Sequence, residues 1–75
     1  EGYVQSEKVA IKIALAVIEP IFGITTIDKQ RPFKAVLVDE HWFVDGTLPP
    51  TFVGGTATAI ISKQTGQVLD VYHTQ

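Results

Sequence analysis

The sequence predicts an α+β fold in which one N-terminal helix packs on a four-stranded antiparallel meander. Three observations lead there. Apolar residues recur at helical spacing after Ser6, and four later segments rich in β-branched and aromatic residues are separated by turn signals. The chain has only 75 residues, a length at which folding buries roughly 60% of the unfolded surface, so residues 1–75 have room for a single core and a single domain. Hydrophobic residues make up 45% against 19% charged, with mean hydropathy +0.21. That is enough apolar material to fold and is unlike a disordered chain.

The first element opens at Ser6, a side-chain cap for an orphan amide, followed by Glu7, an acid at the positive end of a helix. A helix is expected over residues 7–21, with Val9, Ala10, Ile13, Ala14, Val17 and Ile21 on one broad core-facing side. Pro20 disfavours helical geometry at Glu19 and should kink or end the helix there, and Gly23 supplies a positive-φ exit. An irregular linker is expected over residues 24–32. Strands follow over residues 33–38, 42–48, 56–63 and 67–73.

Asp39-Glu40 is short enough for a tight hairpin, and Gln64-Thr65-Gly66 puts glycine where a bulged hairpin needs positive φ. Residues 49–55, with two prolines and two glycines, read as a loop with exposed apolar groups. Strict alternation places Trp42, Val44, Gly46 and Leu48 on one sheet face. His41, Phe43, Asp45 and Thr47 fall on the other, a mixed face suited to docking. At least one of Trp42 and Phe43 belongs to the core.

On the helix the polar stripe is narrow: Lys8, Lys12 and Glu19. Ile11, Leu15 and Phe22 fall beside it, where one sheet cannot reach. Either the linker folds over them or they form a homodimer or partner surface.

Composition excludes several function classes. Eight acidic and six basic residues give a net charge of −2, with Lys29, Arg31 and Lys34 the only basic grouping, so nucleic acid is not the expected ligand. There is no cysteine, hence no disulfide or thiolate metal site. The longest apolar run in the helix, residues 13–18, is far below the roughly 20 residues of a membrane span. A chain that begins at Glu1 and lacks methionine reads as a processed product or a fragment, which leaves room for a removed export signal.

The chemistry-bearing residues do not assemble into a catalytic pattern. The two serines, Ser6 and Ser62, sit at a helix cap and near a strand end, with no nucleophile-elbow spacing. His41 and His73 lack the spacing that would make them a metal pair with Asp39, Glu40, Asp45 or Asp70, and no cofactor is expected. Gly54-Gly55 has neither the lysine nor the helix of a phosphate loop. No catalysis is expected.

Several segments taken together resemble the NTF2-fold immunity family of bacterial polymorphic toxin systems. They are AIKIA at residues 10–14, PIFG at 20–23, RPF at 31–33, HWFVDGTLP at 41–49, GGTA at 54–57 and TGQVLDVYH at 65–73. The order and spacing fit across nearly the whole chain. The chain is short for that fold, so the expectation is a minimal NTF2-like or cystatin-like version without the deep pocket. The resemblance implies a binder of a cognate toxin, exported to the periplasm when the toxin acts outside the cytoplasm, and it brings no catalytic residue.

Inhibition would then work by occlusion, with apolar anchors supplying affinity and acidic or histidine groups plugging the toxin. The partner-facing candidates are Asp39, Glu40, His41 and Asp45, with Phe52 and Val53 from the loop. Structural duty falls to Pro32, Gly46, Gly54, Gly55 and Gly66. Two alternatives stand beside this expectation: a cystatin-like or peptidase-associated inhibitory module, and a small-molecule-binding NTF2-like domain using Asp45 or His41.

Overall fold

The computed structural model describes residues 2–48 and 55–74. Helix α1 spans Glu7–Phe22, a short α2 spans Ile24–Asp28, and four strands follow: β1 Lys34–Val38, β2 His41–Asp45, β3 Ala57–Ser62 and β4 Val68–His73. The strands form one antiparallel sheet in the order β1-β2-β3-β4. This is the expected helix on a meander.

Ser6 caps α1, its Oγ accepting the Val9 N–H at 3.2 Å. The helix does not stop at Glu19 but passes through Pro20 to Phe22. The missing N–H at Pro20 would have bonded the Ala16 carbonyl, and both residues are exposed, so water can take that acceptor. The exit is at Gly23, whose φ of 93° suits glycine and whose N–H donates to the Glu19 carbonyl at 2.7 Å.

The linker expected over residues 24–32 is only partly irregular. Residues Ile24–Asp28 form one further helical turn because Ile27 is fully buried in the core, and tertiary burial outweighs the low helix preference of Thr25 and Thr26. Arg31 then ties this turn back to α1, donating from Nε to Asp28 Oδ1 and from a terminal nitrogen to Glu19 Oε2, each at 2.9 Å.

The core is made of Ala10, Ala14 and Ile18 from α1, Ile27 from α2, Phe33, Trp42 and Val44, and Ala57, Ala59 and Ile61 from β3. Four alanines, Ala10 and Ala14 on the helix and Ala57 and Ala59 on the sheet, let the two layers approach closely. The helix face differs from the expected one: Val9 and Ile21 are 40% and 57% exposed, and the buried line runs along Ala10, Ala14 and Ile18. With the helix turned this way, Ile11, Leu15 and Phe22 are half-buried against the core. They flank the packed face and are partly covered by it.

Val4 also belongs to the core, a residue the sequence does not single out. Tyr3 and Val4 donate their amides to the Gln64 and Lys63 carbonyls at 3.1 and 3.0 Å, and the Trp42 indole donates to the Val4 carbonyl at 2.9 Å. Trp42 is the core aromatic, whereas Phe43 is half-buried on the opposite face, as alternation requires.

β2 ends at Asp45 rather than at Leu48. Beyond it the chain turns toward Gln30: Gly46 N–H donates to the Ala57 carbonyl at 3.2 Å and Thr47 N–H to the Gln30 carbonyl at 2.7 Å. Gln30 is buried, with its Oε1 accepting the Ala57 N–H at 2.7 Å. A Cβ on Gly46 would lie 2.7 Å from that Oε1 and 2.9 Å from the Gln30 Cβ. Gly55 is equally constrained, its Cβ direction running into the Thr74 backbone carbonyl. We therefore expect Gly46→Ala to destabilise the fold by about 1–3 kcal/mol, as forced overpacking does, measured by urea unfolding followed by circular dichroism.

Candidate functional site

The sheet has one face against the helices and one open face. The register places Lys34, Asp45, Thr58 and Tyr72 in one row of the open face, Val36, Phe43, Ile60 and Asp70 in the next, and Val38, His41 and Ser62 in the row beside the β1–β2 turn. The expected docking candidates Asp39, Glu40, His41 and Asp45 all belong to this face or to the turn at its end. Phe52 and Val53 lie outside the described residues, as does Gly54.

The turn is the most unusual part of the site. Val38 and His41 close a two-residue loop, and its central residues, Asp39 and Glu40, have φ of 50° and 65°. Positive φ at both central positions is the type I′ arrangement that matches strand twist, and it is normally filled by asparagine and glycine. Aspartate is also common at the first position, so Asp39 fits its place; Glu40, with a Cβ where glycine is favoured, is the departure, at a cost of about 1–3 kcal/mol. The bulk of neither side chain is used for packing, because both are exposed.

Glu40 is anchored and Asp39 is not. Glu40 Oε1 accepts from Gln64 Nε2 at 2.8 Å and has Lys63 Nζ at 3.9 Å, while the Glu40 carbonyl accepts the Lys63 N–H at 3.0 Å. These contacts lock the β1–β2 tip to the β3–β4 turn, where Gly66 has φ of 80° and Ser62 N–H donates to the Gln67 carbonyl. Among the described residues the side chains of Asp39 and His41 have neither a hydrogen bond nor an ion pair. The result is a rigid tip presenting one braced carboxylate, one free carboxylate and one free imidazole.

Asp45 stands at the other end of the same face, on β2. Its Oδ1 accepts the Thr58 hydroxyl at 2.5 Å, and Thr58 is buried. The carboxylate is thus committed to a neighbour across β2 and β3. His41 lies directly across from Ser62, but Ser62 Oγ accepts the Thr65 N–H at 3.3 Å and no hydrogen bond joins the two side chains.

His41 and His73 sit at opposite ends of the sheet, by the register His41↔Ser62 and Ala57↔His73. Among the described residues no three His, Asp or Glu side chains converge as metal ligands. His73 is engaged elsewhere: its ring packs on Phe22 at 5.4 Å, Nε2 meets Gln30 Nε2 at 3.1 Å and Nδ1 meets the Thr74 carbonyl at 2.8 Å. Because Gln30 Oε1 already accepts from Ala57, its amide nitrogen must donate to His73. That assigns the proton of the neutral imidazole to Nδ1.

The titration of Arg31 is raised, first by its hydrogen bond to Asp28, with burial opposing and Glu19 adding to the rise. A guanidinium is charged throughout the range in which proteins fold, so this contact acts as a structural brace. A cleft of about 360 Å³ opens along α1, lined by Glu7, Lys8, Ile11 and Lys12. It is not lined by Asp45 or His41. No described helix is long and apolar enough to cross a membrane.

If Glu40 is strained by its backbone and its side chain is not needed for folding, the type I′ consensus should relieve the strain. We expect Asp39→Asn with Glu40→Gly to stabilise the protein by about 1 kcal/mol. A higher thermal midpoint would bear this out, and a lower one would show that the Gln64 and Lys63 contacts outweigh the strain.

The family model described as NTF2 fold immunity protein matches residues 9–75 of this chain. No curated protein matches, and no solved structure matches.

Proposed function

We propose that this chain, which belongs to the NTF2-fold immunity protein family, neutralises a cognate bacterial toxin by binding it and occluding its active site, without catalysis of its own. The observation that carries this reading is the tip at Asp39 and Glu40: two acidic side chains held with positive φ, one braced by Gln64 and one left unengaged. Conformations that cost stability concentrate at functional positions, and among the described residues the Asp39 side chain beside the braced Glu40 makes no hydrogen bond or ion pair. A rigid acidic projection loses little entropy on docking, and it complements a cationic cleft of the kind that binds anionic substrates.

His41 extends the tip onto the open face, where Phe43 and Ile60 supply half-buried apolar surface next to it. The contact set is therefore Asp39, Glu40 and His41 with this apolar centre, and Asp45 is a peripheral member because Thr58 already holds it. Phe52 and Val53 remain part of the proposal as loop anchors. The periplasm is the compartment we propose, on the strength of the family resemblance alone.

The small-molecule alternative needs a concave, apolar-lined cavity at Asp45 or His41. The space behind their strand is filled by Trp42, Val44, Ala59 and Ile61. The inhibitory-module alternative shares the docking geometry and differs in its partner.

The test is co-purification with the protein encoded beside this one, together with growth rescue by forms directed to the periplasm and to the cytoplasm. A stable equimolar complex and rescue in the periplasm are expected; absence of both complex and rescue removes the immunity reading. Asp39→Lys with Glu40→Lys should weaken the complex roughly ten- to a hundredfold, mainly through slower association. Unchanged affinity in surface plasmon resonance would place the contact elsewhere on the sheet.

A further inference from the structure

The two edges of the sheet are treated differently. Along β4 the pairing with β3 is interrupted by a register shift between Ile60 and Ile61, and Asp70 turns its own Oδ1 onto the Val71 N–H. Bulges and inward-turned acids are devices that blunt an edge against further pairing. β1 has neither. It pairs with β2 in unbroken register from Lys34↔Asp45 to Val38↔His41, and Val36, Leu37 and Val38 are 58%, 41% and 48% exposed. A regular, apolar, solvent-facing edge is a template for another strand.

The ladder shows which groups are on offer. Ala35 N–H points away from β2 and reaches Glu7 Oε2 at 3.3 Å, a long contact. By antiparallel alternation the backbone groups of Ala35 and Leu37 face outward, while those of Lys34, Val36 and Val38 pair with β2. The charges along the strand are also self-complementary. Lys34 stands at its start and Asp39 just past its end, and among the described residues neither has an ionic partner.

We propose that two copies of this chain pair antiparallel along β1 about a two-fold axis at Val36, joining their sheets into one continuous sheet of twice four strands. Ala35 of each copy then exchanges both backbone hydrogen bonds with Leu37 of the other, and the Glu7 carboxylate swings aside from the Ala35 amide. Each Lys34 comes alongside the other copy's Val38 and within reach of its Asp39. An antiparallel self-pairing gives this match twice, and a parallel one gives it not at all.

The cleft along α1 offers a second fit. Glu7, whose carboxylate meets the Ala35 amide, is on its wall together with Ile11. On the helix-facing side of the sheet the added strand sets its Leu37 next to Ala35, and the cleft beside Ile11 is where that side chain would go. Because Asp39 serves both this contact and the proposed toxin contact, the association is a property of the protein without toxin.

The chain has no cysteine, so Val36→Cys introduces a single thiol. The proposed axis sets the two Val36 residues in a non-hydrogen-bonded pair, at a separation that a disulfide spans. Mild oxidation should convert Val36→Cys to a covalent dimer, while Leu69→Cys on the β4 edge should not cross-link. Sedimentation of the unmodified protein should show mass rising toward twice the monomer with concentration. Val36→Lys should weaken association at least roughly tenfold, and Lys34→Glu should weaken it unless Asp39→Lys is added. A monomer at every concentration, a Val36→Lys variant that still dimerises, or cross-linking no faster than Leu69→Cys would each overturn the proposal.

Discussion

Gln30 is the residue on which the far end of the sheet depends. It lies between the short helix and the first strand, buried, and meets three segments at once. Its side-chain oxygen takes the Ala57 N–H at 2.7 Å, its backbone carbonyl takes the Thr47 N–H at 2.7 Å, and its amide nitrogen faces His73. A buried amide is stable only when its groups are satisfied, so each partner must stay where it is. Gly46 is required because Gln30 fills the space its side chain would need, and β2 ends where it does because the chain turns to meet Gln30. Through His73 the constraint passes to Phe22, which joins the end of α1 to the last strand. With this end held, the opposite end can carry the strained tip.

Strain is therefore distributed unevenly. At the Gln30 end, small residues and satisfied polar groups minimise conflict. At the other end, Glu40 occupies a position that glycine would fill more comfortably, and β1 leaves apolar surface in water. Both departures lie at one corner, the meeting point of the tip and the exposed edge. Local choices that oppose stability and cluster together are a physical signature of recognition, and they agree with membership of an immunity family.

Much of the fold was legible because its signals are local. Ser6, Gly23 and Gly66 mark their element ends through capping and positive φ, and alternation in 41–45 correctly separated Trp42 from Phe43. What was not legible depended on distant partners. Val4 enters the core through a hydrogen bond from Trp42, 38 residues away. Ile27 makes a helical turn by burial that Thr25 and Thr26 would not suggest, and Pro20 stays helical because its acceptor faces solvent. The choice between Ile21 and Ile18 as the buried helix position depended on where the sheet and α2 lie, and the 3.6-residue period does not contain that information. For the candidate site, the sequence indicated Asp39, Glu40 and His41 as a turn and its neighbour. The positive φ of both acids and the free edge of β1 required three-dimensional pairing to be seen.

The hydrogen bond from Trp42 to Val4 makes the molecule report on itself. The chain contains one tryptophan, and that indole is 8% exposed with its N–H held by the N-terminal segment. Its emission reads the seating of the first few residues against Lys63 and Gln64, the same turn that braces Glu40 at the acidic tip. Fluorescence can therefore follow detachment of the N-terminal segment, and any disturbance of the shared turn passed to it from the tip, without adding a label.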